Sequence, residues 1–336
     1  MALRTPICDL LGVEHPVLLA GMGGVSYAEV CAAVSEAGGF GTLGMASSTP
    51  DQIRAQMLRV KELTDKPFGV DLLAALPDTL TAAIDVIIEE GATAFIAGLG
   101  VPFPILEKLK SADIVTMNMC GAVRHAQKGE QAGCDVVIAQ GTEAGGHTGP
   151  IGGMALIPQI VEAVNIPVIA AGAITDGRGL AAALAFGAQG VWVGTRFIAS
   201  KEANAHVLYK EKIMEAEDRD TVVTRSYSGK TMRVIKNDWT DDWESRPQDI
   251  LPFGQQGQHS LDAGVMHSLR GDTSTFDPDR EATAAGQGSG AVHDLLPAGE
   301  IVRNMVAEAE ETIARMGNIV SGSFENNPRH GRRAEL

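Results

Sequence analysis

Eight short runs rich in apolar and β-branched residues recur through the first 200 positions, starting at residues 16, 41, 68, 93, 114, 136, 167 and 190. They are Pro16–Met22, Gly41–Met45, Phe68–Leu73, Thr93–Gly100, Ile114–Cys120, Val136–Gly141, Pro167–Ala173 and Gly190–Thr195, with amphipathic, alanine-rich stretches between them. Such alternation marks repeated βα units, because a strand reaches a parallel neighbour only through a crossover. Eight units at nearly regular spacing predict an α/β fold of the closed (β/α)8 TIM-barrel type. An open doubly wound sheet also alternates, but usually has fewer strands and carries a dinucleotide fingerprint in its first turn. The segment Gly39-Phe40-Gly41-Thr42-Leu43-Gly44 does match G-x-G-x-x-G. It follows the helical stretch Tyr27–Ala37 and runs into a strand, so no helix N-terminus stands behind it to receive a pyrophosphate. Gly38 and Gly39 are read as a helix stop.

After about residue 220 the rhythm ends. The stretch from Asp218 to about Pro297 is polar, holds Trp239 and Trp243, and contains loop-like runs such as Gly254–Gly264 and Gly271–Asp279. The chain is therefore expected to divide into a barrel over 1–220 and a smaller, substrate-covering C-terminal lobe over 221–297. A helix over 298–318 is predicted to return to the barrel, with Ile301, Met305, Val306, Ala309, Ile313 and Met316 at helical spacing. The polar tail 319–336 is expected to be mobile.

The chain has 42 acidic against 27 basic residues in 336, a formal charge of -15. That balance argues against partners held through a broad basic surface, so neither nucleic acid nor an anionic membrane is expected. Cys8, Cys31, Cys120 and Cys134 form no CxxC pair and are read as reduced and structural. With no secretory h-region and no stretch approaching a membrane span, the cytoplasm is the expected location. No metal-ligand spacing, P-loop or G-x-S-x-G is present, so no metal is expected.

In a barrel of this kind the chemistry belongs at the C-terminal ends of the strands, with phosphate after strands seven and eight. Gly172 and Ala173 follow the seventh run and lead through Thr175-Asp176-Gly177 into a helix, while Gly194 and Thr195 end the eighth. Their N–H groups, the Thr195 hydroxyl and that helix N-terminus could together hold an anion without basic side chains, or the segments could be ordinary tight βα turns. The glycine-dense loop after the sixth run, Gln140 to Gly153, contains Gly145, Gly146 and His147. His147 is the candidate general base, with a surface histidine in a structural hydrogen bond as the alternative and His125 as its nearest rival. Gly21, Met22 and Gly23 after the first run could lie against a planar ring. Asp71 interrupts the apolar third run, where a charge must be paired or wet, and so should face the same site.

Taken together, GMGGVS at 21–26, FGVDL at 68–72, QGTEAGGH at 140–147, AGAITDGRG at 171–179 and GTRF at 194–197 resemble the nitronate monooxygenase (2-nitropropane dioxygenase-like) family, over about residues 6–200. The resemblance implies an FMN-bearing barrel with a small covering domain, oxidising alkyl nitronates with O2. It implies FMN contacts at Gln140, Gly145, Gly172, Trp192, Val193, Gly194 and Thr195, joined at the same mouth by Gly21, Met22, Gly23, Asp71, Gly146 and Ala173. It also implies that His147 removes the α-proton of a neutral nitroalkane. Asp71 stands where the family usually has Asn. Relatives sharing the barrel include NAD(P)H-dependent reductases of quinones and of enoyl thioesters on CoA or a carrier protein. A reductase of either kind and a non-catalytic barrel for a phosphorylated metabolite are therefore the alternatives, and a homodimer is left open. Ala285–Gly290 either lines a substrate channel or is a loop before the last helix.

Overall fold

The computed structural model describes residues 3–46, 48–74, 77–101 and 105–321. Each of the eight runs contains a strand: β1 (Val17–Leu19), β2 (Gly41–Gly44), β3 (Phe68–Leu73), β4 (Ala94–Gly98), β5 (Val115–Cys120), β6 (Val136–Gln140), β8 (Val168–Ala171) and β9 (Gly190–Val193). A two-residue strand, β7 (Gly146–His147), lies in the loop between β6 and β8 and belongs to a different sheet. The eight barrel strands are parallel, in the order β1-β9-β8-β6-β5-β4-β3-β2. The ends of that order meet, since Leu19 N–H donates to the Phe40 carbonyl and Phe40 N–H to the Val17 carbonyl, both at 2.9 Å. The expected barrel is thereby closed.

Alternation along each strand then sorts side chains between two cores. Leu18, Phe40, Ile96, Met117, Ile138, Ile169 and Trp192 fill the interior. Val17, Leu19, Val70, Val137, Val191 and Val193 pack outward against the helices. The lower end of the barrel is plugged by the helix Pro6–Leu11, whose Ile7, Cys8 and Leu11 join the interior cluster. Six residues are too short for a periodicity signal, and this element was not anticipated. With one end sealed by apolar packing, the cavity of the barrel opens at the C-terminal ends of the strands.

The lobe is built on the antiparallel pair β10 (Thr221–Thr224) and β11 (Met232–Ile235). Its third strand is β7, which pairs antiparallel with β11. Tyr227, Val234, Trp239, Trp243 and Val265 form its own small core. The last helix spans Ala298–Ser321, three residues beyond the expected end, and buries Ile301, Val302, Met305, Val306 and Ala309. Ile313 and Met316, assigned from spacing to the same stripe, are 40% and 43% exposed. Residues 322–336, the rest of the tail expected to be mobile, lie outside the described residues. Among the described residues no helix is long and apolar enough to cross a membrane. All four cysteines are free and buried, and burial pushes the Cys120 and Cys134 thiols up to about 12 and about 11.

The last helix lies on the helix Gly177–Ala185, with its Met305–Ala309 backbone close against Gly177. A Cβ there would collide with the backbone of Met305 and Ala309. Backbone cannot step aside as a flexible side chain can, so Gly177→Ala is expected to lower stability by about 1–3 kcal/mol. Urea unfolding checks this, and an unchanged midpoint would refute the contact.

Candidate active site

Between the open end of the barrel and the lobe lies a cavity of about 1140 Å3. Gly21, Met22, Gly23, Asp71, Gln140, Gly145, Gly146, His147, Gly172, Ala173, Trp192, Gly194 and Thr195 all line it. Val193 does not, because strand alternation that turns Trp192 inward turns its neighbour into the outer core, where Val193 is 1% exposed.

His147 is held by backbone from both parts of the molecule. It is register partner to Met232, and Gly146 to Arg233. Gly146 adopts φ 71°, the left-handed region, which turns the chain out of the barrel loop and into the lobe's sheet. The imidazole Nε2 is 2.8 Å from Ser228 Oγ, and Ser228 is itself fixed by the Lys230 backbone, accepting from its N–H at 3.2 Å and donating to its carbonyl at 3.1 Å. Phe253 packs edge-on to the ring at 6.1 Å. Burial, and secondarily the Lys230 ammonium, pull the imidazole pKa down to about 4. The ring is therefore neutral, and able to accept a proton, at any pH above about 4. Protonation would switch the base off only as the pH falls through that value.

Beside the start of this loop, where Gly141 N–H donates to the Ala171 carbonyl at 3.0 Å, the turn after β8 carries Gly172 at φ 110° and Ala173 at φ 52°, two successive residues with positive φ. Reversing the chain so tightly leaves small residues and main chain facing the cavity. The helix N-terminus expected to join this anion site does not do so. Asp176 already accepts from the N–H groups of Arg178 and Gly179, and Glu308 of the last helix accepts from Gly177 N–H at 2.9 Å. A bound anion there must use the turns themselves. The Thr195 hydroxyl accepts from Gly286 N–H at 3.0 Å, and Gln287 N–H donates to the Glu143 carbonyl at 2.9 Å. These bonds tie the Ala285–Gly290 stretch to the turn after β9 and to the loop after β6, while Gly288 lies close against Ala173 and reaches the cavity. Glu143 also accepts from Gly153 N–H at 2.9 Å, clipping the loop's two ends together.

Asp71 faces Gly21 across the floor, so closely that a Cβ at Gly21 would fall on its side chain. It is 8% exposed, and burial pushes its carboxyl pKa well above the usual carboxylate range. Desolvation there disfavours the charged form, and Asp71 faces the cavity as expected.

At the rim stand Arg124, His125 and Lys128, on the helix Val123–Ala132 that follows β5, together with Lys230 and Phe253 from the lobe. His125 accepts from Arg124 Nε at 3.3 Å and sits outside the buried cavity floor. Burial, then Arg124, Lys128 and Lys230, lower its pKa. Ser228, Lys230 and Phe253 were missed by sequence reasoning, and Gly229 offered only a turn signal. Tyr209, also missed, lines the cavity and donates from its hydroxyl to the Ala284 carbonyl at 2.6 Å. No group of three or more His, Cys, Asp or Glu that could hold a metal occurs among the described residues.

The nitronate monooxygenase family model matches residues 4–83 and 79–308, spanning the barrel and the lobe. The chain belongs to the nitronate monooxygenase family. Membership makes it an enzyme of the oxidoreductase class. Within and around the family, the chain is 41% identical over 242 residues to a Rhodococcus jostii protein described as (3aS,4S,5R,7aS)-5-hydroxy-7a-methyl-1-oxo-octahydro-1H-indene-4-carboxyl-CoA dehydrogenase, covering 72% of this chain and 68% of that one. FabK from Thermotoga maritima superposes with a TM-score of 0.86 at 36% identity, over 94% of this chain and 99% of the other. A nitroalkane oxidase from Streptomyces ansochromogenes superposes with a TM-score of 0.81 at 30% identity, over 92% and 99%.

The desolvated environment of His147 gives a direct expectation. An NMR titration of its ring should show an inflection near pH 4, and Lys230→Met should move it upward by removing a neighbouring positive charge. An inflection near the ordinary histidine value of about 6.5 would refute the assignment.

Proposed function

We propose that this protein is an FMN-dependent nitronate monooxygenase that oxidises alkyl nitronates with O2, and that it accepts neutral nitroalkanes by using His147 as the base. The observation that carries this reading is a mostly buried imidazole, fixed by Ser228, in a cavity also lined by the glycine-bearing turns after β1, β8 and β9. Those turns fit FMN. Gly172 and Ala173, with Gly194 and Thr195, would receive its phosphate, and Gly21, Met22 and Gly23 would lie against the ring. When bound, the flavin supplies the electron acceptor that carbon oxidation requires.

The chain's own residues do the rest. His147 takes the carbon-bound proton onto an imidazole nitrogen, and Ser228 keeps the ring from rotating away as it does so. Burial of Asp71 at the cavity floor disfavours a fixed negative charge there. The lobe covers the mouth and lowers the access of bulk water.

A second reading, reduction or dehydrogenation of an acyl thioester with NAD(P)H or NAD(P)+ as the nicotinamide partner, is favoured by two observations. The Rhodococcus relative is described as acting on a CoA compound, and the rim is basic in an otherwise acidic protein. The same histidine could serve there, because a thioester α-carbon also carries an acidic proton.

Anaerobic addition of propyl-2-nitronate to the yellow protein is expected to bleach the flavin absorbance. His147→Ala should lower the rate with neutral nitroalkane by about 10²–10⁴-fold, the usual contribution of a general base, while turnover of preformed nitronate persists. Flavin that stays oxidised with nitronate but bleaches with NADH or NADPH would replace the first reading by the second.

A further inference from the structure

The protein carries a formal charge of -15, yet the residues lining its cavity are net positive. Among the described residues, Arg124, Lys128 and Lys230 line it against one acidic residue, Asp71. Arg124 and Lys128 are four residues apart on the helix Val123–Ala132 and so share one face. Lys230 reaches the same rim from the turn between β10 and β11, with its Nζ 5.6 Å from the centre of the Phe253 ring. Phe253 is 46% exposed, an aromatic face left beside cations at the cavity mouth.

This cluster is not the phosphate site of the barrel turns. That site lies after β8 and β9, whereas the Arg124 helix follows β5, and β6 and β8 stand between β5 and β9 in the barrel order. The molecule therefore offers two places for anions. One is built of main chain deep in the cavity, and the other of long cationic side chains at its rim. A nitronate, with one small anionic group that must reach the reacting centre, uses neither the rim cations nor the exposed ring.

We infer that the rim formed by Arg124, Lys128, Lys230 and Phe253 binds the nucleotide end of a coenzyme A thioester, whose acyl group is directed through the cavity toward His147. This inference rests on the thioester reading of the site. In such a substrate a long pantetheine arm separates the thioester from the pyrophosphate, so the acyl carbon can sit at a buried base while the phosphates remain at the surface. Nicotinamide dinucleotides lack that separation, since one ribose alone lies between the ring and the pyrophosphate. The adenine matches an exposed aromatic face, on which any base can stack. The phosphates match guanidinium and ammonium groups, which give charge-assisted hydrogen bonds.

The test is equilibrium binding to the flavin-loaded protein by calorimetry, with free coenzyme A, pantetheine and NADPH as separate ligands. Coenzyme A is expected to bind at least tenfold more tightly than pantetheine, and to weaken steadily as salt rises. Arg124→Ala combined with Lys128→Ala should weaken coenzyme A by about tenfold or more while leaving pantetheine unchanged, as loss of charge-assisted contacts would. Retention of flavin colour and of the unfolding midpoint in the double variant shows that the fold is intact. Equal binding of coenzyme A and pantetheine would overturn the inference. So would a double variant that binds coenzyme A normally, or one that loses only NADPH. Because binding is read without turnover, failure of the thioester redox reaction appears separately, as tight coenzyme A binding to a protein that transfers no electrons to or from its thioesters.

Discussion

The pairing of β7 with β11 is the interaction on which the site depends. Two residues of a barrel loop, Gly146 and His147, are taken into the lobe's sheet opposite Arg233 and Met232. Without that strand the histidine would ride on a glycine-rich loop with many accessible conformations. With it, the imidazole has a fixed origin, and Ser228 then fixes its direction. The same contact joins the two halves of the molecule, supported by the Arg233 guanidinium, whose Nε donates to the Thr142 carbonyl at 3.1 Å.

Electrostatics in the cavity follow from burial more than from pairing. Among the described residues no opposite charge shifts His147 or Asp71, and desolvation drives each toward its neutral form, lowering the base and raising the acid. At both residues burial thus works against charge in the interior. Formal charge is confined to the rim, where water screens it. An acidic protein can in this way offer a neutral reacting centre beneath a positive mouth.

Much of this was legible in the sequence because it obeys short-range rules. Strand alternation announced the barrel, and glycines at strand ends marked the turns after β1, β8 and β9. His147 stood out by its loop. What stayed hidden depends on contacts between distant residues. Ser228 meets His147 across 81 positions, and no local pattern distinguishes it from any other serine of a polar lobe. Likewise the N-terminus of the Gly177–Ala185 helix looked available until Glu308 and Asp176 were seen to occupy it. Val193 lies outside the cavity for a simpler reason: a strand turns side chains to one face only at every second residue, and Trp192 takes the inward position.

The three-stranded sheet also bears on how such enzymes could diversify. One of its strands is encoded inside the barrel and the other two some 75 or more residues later. The lobe is consequently not a module that can be exchanged as a contiguous C-terminal cassette. A chimaera that imports a new 221–297 segment alone inherits a β11 that must pair with a foreign β7, and any mismatch in register would displace the base. Inheritance of substrate preference in this architecture should therefore be bipartite, with the loop after β6 and the lobe travelling as a co-adapted pair.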